Sequence, residues 1–144
     1  QRNHERCARA LLEAGSNTEA AVPRNGYTAL ILSCQHGQYL CAQALLEANA
    51  DADAADNNGN TSLMLACSRG HELCARALLE ANVDPNAANN DNVTALNVAC
   101  EVGDEQCAIL LLRTGANPDV KDKWGDTPRL IAERRNMSNV LALL

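Results

Sequence analysis

The strongest constraint in this sequence is its period. Thr28, Thr61, Thr94 and Thr127 recur at a fixed step of 33 residues, and Gly37, Gly70 and Gly103 keep the same step, as do Leu45, Leu78 and Leu111. Self-similarity of this kind implies like units stacked side by side, each packing on its neighbours, and not one interior closed by distant segments. The clearest unit runs from Asp56 to Ala88, with copies on either side. We read repeats at 23–55, 56–88, 89–121 and 122–144, preceded by a partial repeat over 1–22, the whole forming one domain over 1–144.

Each unit reads as two short helices and a turn. Thr61 is suited to cap a helix, because its hydroxyl can accept from the free N–H groups of the first turn. In the last copy Thr127 is followed by Pro128, which fits the first helical position. Leu63, Ala66 and Cys67 then form one apolar face, and Gly70 ends the helix after about two turns. A second helix follows, with Cys74, Ala77, Leu78 and Ala81 as its apolar positions and Glu72, Arg76 and Glu80 outward. Asn82 ends it, since asparagine tolerates the left-handed conformation that Gly15 and Gly115 take at equivalent positions. Asn/Asp/Gly-rich tips such as Asp53–Gly59 and Asn86–Asn92 supply the turns between pairs.

These residues resemble ankyrin repeats: the turn-Gly-x-Thr-x-Leu start, the Gly70–His71 pair, the Leu78–Leu79 pair and the 33-residue period. The resemblance covers nearly the whole chain and implies an all-α solenoid of helix-turn-helix units with β-hairpin-like finger loops. The copies depart from the usual Thr-Pro-Leu-His. Only Thr127–Pro128 keeps the proline, and the histidine position holds Ile31, Met64, Asn97 and Leu130, so the interior imidazole hydrogen bonds typical of the family are expected to be missing.

Composition fits such a stack. With no Phe, one Trp and two Tyr, the core has to come from Leu, Ala, Val and Cys, which suits closely packed short helices. A net charge of −6, with no basic stripe, argues against a nucleic-acid partner. No apolar run approaches the ~20 residues a bilayer requires and no charged-then-apolar leader is seen, so the chain reads as soluble and without a membrane partner. The seven cysteines recur with the repeat: Cys34, Cys67 and Cys100 in first helices, Cys7, Cys41, Cys74 and Cys107 in second helices. No closely spaced ligand pairs occur, so we expect no metal and no cofactor. Equivalent cysteines in successive repeats should stand roughly 8–10 Å apart, beyond the limit of about 7 Å for bridging Cα atoms. They read as small buried hydrophobes with free thiols, which points to an intracellular, cytoplasmic setting.

No catalytic constellation emerges. His4 and His71 occupy matching repeat positions after the turn between helices, which assigns them to packing or turn roles, and Glu13, Glu47 and Glu80 repeat on a solvated face. There is no phosphate-binding glycine loop. We therefore expect no enzyme.

What varies at fixed repeat positions is the more informative surface. At the tips these residues are Arg24, Asn25 and Tyr27; Asn57, Asn58 and Asn60; Asn90, Asp91 and Val93; Lys123, Trp124 and Asp126. At the ends of the first helices they are Gln35 and His36; Ser68 and Arg69; Glu101 and Val102; Arg134 and Arg135. The family resemblance implies that tips and first helices line one concave groove that grips other proteins or peptides. Tyr27 and Trp124 are the aromatic anchors, with Val93 and Val102 as an apolar floor. For Trp124 a second reading stands beside this one, in which it packs over the neighbouring finger and seals the last repeat. The mixed charge of the face suits a polar peptide or a folded domain.

Two other functions are open to this sequence. The chain could be an engineered or selected binding scaffold, although the drifted repeats and seven cysteines argue against idealisation. It could also be the substrate of an asparagine hydroxylase, since Asn86 resembles the asparagine such enzymes modify in ankyrin loops, although turn chemistry explains that residue equally well. At the N-terminus, Gln1–Gly15 matches only the second half of a repeat. The sequence therefore predicts a weak, bare end there, prone to fraying and to end-to-end self-association. An extra residue is expected near Ala20–Pro23, and the polar last unit, with Arg129, Arg134 and Arg135, resembles a C-terminal cap.

Overall fold

A computed structural model describes Arg9, Gly15 and residues 17–144. The predicted first helix and bare N-terminal face lie outside the described residues. Among the described residues eight helices follow one another in pairs: α1 (Ala29–Gln35) with α2 (Tyr39–Glu47), α3 (Ser62–Ser68) with α4 (Glu72–Glu80), α5 (Ala95–Val102) with α6 (Glu105–Arg113), and α7 (Pro128–Arg134) with α8 (Ser138–Leu141). First helices stack on first helices and second helices on second helices.

The recurring threonine starts every first helix. The hydroxyls of Thr28, Thr61, Thr94 and Thr127 accept from the backbone N–H three residues on, at 3.2–3.3 Å. Pro128 stands in the first turn of α7. Second helices α2 and α4 end before Asn49 and Asn82, whose φ values of 60° and 62° are left-handed, as expected for Asn82.

The tips carry a second hydrogen-bonded ladder. Isolated antiparallel bridges close two of them, Ala55 with Thr61 and Ala88 with Thr94. Successive tips are joined through the backbone: Asn57 N–H donates to Asn25 O at 3.0 Å, Asn90 to Asn58 O at 3.0 Å, and Lys123 to Asp91 O at 2.9 Å. The asparagines reinforce this, Asn57 Nδ2 donating to Arg24 O and Asn90 Nδ2 to Asn57 O. The tips are therefore a continuous edge whose shape the backbone fixes.

Two details differ from expectation. In α4 the buried residues are Cys74, Ala75 and Leu78, while Ala81 is exposed and Ala77 only half-buried. The second helices are held between their own first helix and the neighbouring second helices, which widens the apolar face to adjacent positions, and Ala81 lies beyond the last helical residue as the cap. The repeat pattern places a last helix over Met137–Leu144, with Val140, Leu143 and Leu144 where the other copies bury theirs. It spans only Ser138–Leu141: Val140 is buried and Leu144 packs partly on the core, but Leu143 turns to solvent. Arg129, which replaces the leucine of the other repeats, is tied to Asp119 at 2.9 Å and to Leu144 O at 3.2 Å.

The cysteines meet in a way that comparison of equivalent positions does not reveal. Cys34, Cys67, Cys74, Cys100 and Cys107 are free thiols. The Cys34 thiol of α1 interacts with that of Cys74 of α4, and the Cys107 thiol of α6 with that of Cys67 of α3, so first-helix and second-helix thiols of adjacent repeats are brought near one another. The interaction with its partner and burial raise the Cys34 and Cys107 thiols well above their ordinary range, while the interaction with Cys34 lowers Cys74. At the same offset Cys100 meets the register position of Val140, and burial, with help from Glu101, pushes its thiol up to about 12. Among the described residues no three His, Cys, Asp or Glu side chains gather to hold a metal, and no helix is long and apolar enough to cross a membrane.

Candidate protein-binding groove

The tips and the first helices converge on one cavity. It measures about 640 Å³ and lies between the last two tips and the helices α5 and α7. Val93, Asp122, Trp124 and Asp126 line it from the tips; Asn97, Val98, Glu101 and Val102 from α5; Ile131, Arg134 and Arg135 from α7 and its cap. Its floor is aliphatic and its rim charged.

The rim charges are already matched. Arg134 pairs with Asp126 at 2.6 Å and Arg135 with Glu101 at 3.2 Å, while Lys123 pairs with Asp91 at 2.6 Å just beyond the cavity. Asp126 accordingly raises the Arg134 guanidinium further above its ordinary value. Trp124 is 67% exposed, and the Lys123 ammonium sits 4.4 Å from its ring centroid. Most of its surface faces solvent. Its position is set by the tip turn, where one Asp122 carboxylate oxygen accepts from the backbone of both Trp124 and Asp126 at 2.9 Å. Val102, 50% exposed, adds further uncovered apolar surface.

Of the residues singled out in the sequence, Val93, Glu101, Val102, Trp124, Asp126, Arg134 and Arg135 come together here. Asp91 and Lys123 flank the cavity as an ion pair. Arg24, Asn25, Tyr27, Gln35, His36, Asn57, Asn58, Asn60, Ser68 and Arg69 lie along the earlier tips and first helices, outside it. Several of these spend their polar groups internally. Asn60 donates to the Asp56 carboxylate and accepts from Asn89 Nδ2, Asn25 Oδ1 accepts from the Tyr27 N–H, and the Ser68 hydroxyl donates to Leu65 O. Arg24 and Arg69, by contrast, form no ion pair with any described residue.

Sequence reasoning missed Asn97, Val98, Asp122 and Ile131. For Asn97 the signal was present: it is the one polar residue at a position that holds Ile31, Met64 and Leu130 elsewhere. It is 2% exposed, and its Oδ1 accepts from the Thr94 N–H at 3.0 Å and the Thr94 hydroxyl at 2.7 Å, completing a capping box. This asparagine restores an interior side-chain hydrogen bond at the usual histidine position. Because the backbone N–H of Thr94 demands an acceptor, the amide orientation is fixed, and Nδ2 is left buried without a partner.

A family model for ankyrin repeats, describing three copies, matches residues 1–56 and 41–122. The chain belongs to the ankyrin repeat family. No curated protein matches it significantly. Ankyrin repeats are generally protein–protein interaction modules and typically carry no enzymatic activity. Asn86, weighed above as a hydroxylation site, uses both ends of its amide between repeats: Nδ2 donates to Gly115 O at 3.2 Å and Oδ1 accepts from Asn117 N–H at 2.7 Å. That bridge is a sufficient structural reason for an asparagine there.

Proposed function

We propose that this ankyrin array binds a partner protein or peptide through the face formed by its tips and first helices, acting as one unit across repeats 23–55, 56–88, 89–121 and 122–144. The observation that carries the reading is the cavity between the last two repeats, where exposed Trp124 and Val102 stand over an aliphatic floor while the surrounding charges satisfy one another. Water gains little from such a surface, and a partner that covers it gains apolar contact without having to break ion pairs. The earlier tips extend the face with Arg24 and Tyr27, and the end of α3 with Arg69. Buried free thiols suit a reducing, intracellular compartment.

Affinity capture from native extract, comparing variants on the two faces, tests this. Trp124→Ala with Val102→Ser, and separately Tyr27→Ala with Arg69→Ala, should lose captured partners while keeping helicity. Leu73→Asp, on the opposite side in α4 where the leucine is 59% exposed, should keep them. Retention by both groove variants and loss with Leu73→Asp would place the interface on the second helices instead.

A further inference from the structure

Resting on the proposed groove, we infer the kind of partner segment it takes: an extended peptide carrying a carboxylate about three residues from a large apolar side chain. The apolar half follows from the cavity. Val93, Val98, Val102, Ile131 and Trp124 supply its contact surface, and a charged side chain entering it would have to compete with the Arg134–Asp126 and Arg135–Glu101 pairs. An aliphatic or aromatic side chain fills it without that cost.

The carboxylate follows from the register. Arg69 stands one repeat before Val102, at the same position in the unit, and Arg135 one repeat after it. Arg135 is neutralised by Glu101; Arg69 is exposed and, among the described residues, has no ion pair, and neither has Arg24 on the tips of the same half. The open positive charge of the face therefore lies one repeat from the apolar cavity. Packed helices stand roughly 8–10 Å apart, and an extended chain advances about 3.3 Å per residue, so about three residues bridge the two features. The carboxylates of this face are already engaged, Asp91, Glu101 and Asp126 with Lys123, Arg135 and Arg134, and Asp56 and Asp122 with N–H groups of their own tips, while Glu47 and Glu80 sit on the second helices.

The probes are blocked twelve-residue Ser/Thr/Gly peptides bearing a glutamate pair three residues before or after a leucine, their lysine counterparts, and versions with the leucine replaced by serine. Trp124 is the sole tryptophan, so its emission reports occupancy directly. A glutamate–leucine peptide should bind and shift that emission to the blue. Exchange of glutamate for lysine, or of leucine for serine, should each weaken binding at least tenfold. Arg69→Glu should invert the preference so that the lysine peptide binds better, and Val102→Asp should abolish the leucine dependence, with circular dichroism checking that both variants fold. Equal binding of glutamate and lysine peptides, an unchanged preference in Arg69→Glu, or no binding of any peptide at millimolar concentration overturns the inference. If native partners are still captured and lost with the groove variants in that last case, the groove assignment stands and only the peptide class is wrong.

Discussion

The turn between paired helices offers an internally controlled test of how far the repeat can be read as a sum of local terms. Gly37 and Gly103 occupy the same repeat position, with φ of 64° and 78°. Alanine at either must adopt a left-handed backbone, which costs roughly 1–2 kcal/mol. The surroundings differ. A Cβ at Gly37 would lie 2.7 Å from Nδ1 and Cε1 of His71 and 3.0 Å from its Cγ, whereas a Cβ at Gly103 meets nothing within 4 Å. The His71 ring is half-buried and has to swing aside, so overpacking adds about 1 kcal/mol, at the lower end of its usual range. Gly103→Ala should therefore cost about 1–2 kcal/mol and Gly37→Ala about 2–3 kcal/mol. Urea unfolding followed by far-UV circular dichroism measures both, and a double-mutant cycle with His71→Ala should recover the extra ~1 kcal/mol at Gly37. Equal costs at the two glycines, or no relief from His71→Ala, would refute the claim that His71 is a packing residue seated on the preceding turn.

Other outcomes follow from the same structure. Thr94→Ala should destabilise more than Thr61→Ala, by about 2 against about 1 kcal/mol in thermal or urea melts, because Thr94 both caps α5 and donates to Asn97 whereas Thr61 only caps. The Cys34, Cys100 and Cys107 thiols are all raised above their ordinary value near 9, so below pH 9 they are protonated in both states and contribute fully. As pH climbs from 9 towards 12 the unfolded chain releases protons that the fold retains, and stability should fall by roughly 1.4 kcal/mol per pH unit for each thiol. Cys100→Ala should shallow that decline when melts are compared across this window. Asp122→Ala removes the acceptor for two tip N–H groups, and should change Trp124 emission while costing only about 1 kcal/mol, since water can reach the tip.

The period made the stack legible because each threonine and glycine acts through its own backbone, within a few residues. Thr61 capping α3 and Asn82 ending α4 are local events of this kind. What the sequence hid depends on contact between repeats. Ala75 is buried and Ala81 is not because α4 is packed on two sides, which a single helical face cannot express. The Cys34–Cys74 and Cys67–Cys107 interactions join unlike positions of adjacent units, and comparing like with like passes over them. At the candidate groove, Trp124, Val102 and the two arginines were visible as departures from the repeat. Val98 and Ile131 were not, since an aliphatic residue at a helical position reads as core until the cavity beside it is seen.

The central claim is that the tip and first-helix face is the binding face, and hydrogen exchange on the complex with a captured partner tests it most directly. Protection should rise over residues 93–102 and 122–135, which carry the cavity, and stay unchanged over the second helices at 72–80 and 105–113. Protection gained on those second helices, with residues 93–102 and 122–135 exchanging as in the free chain, would contradict it.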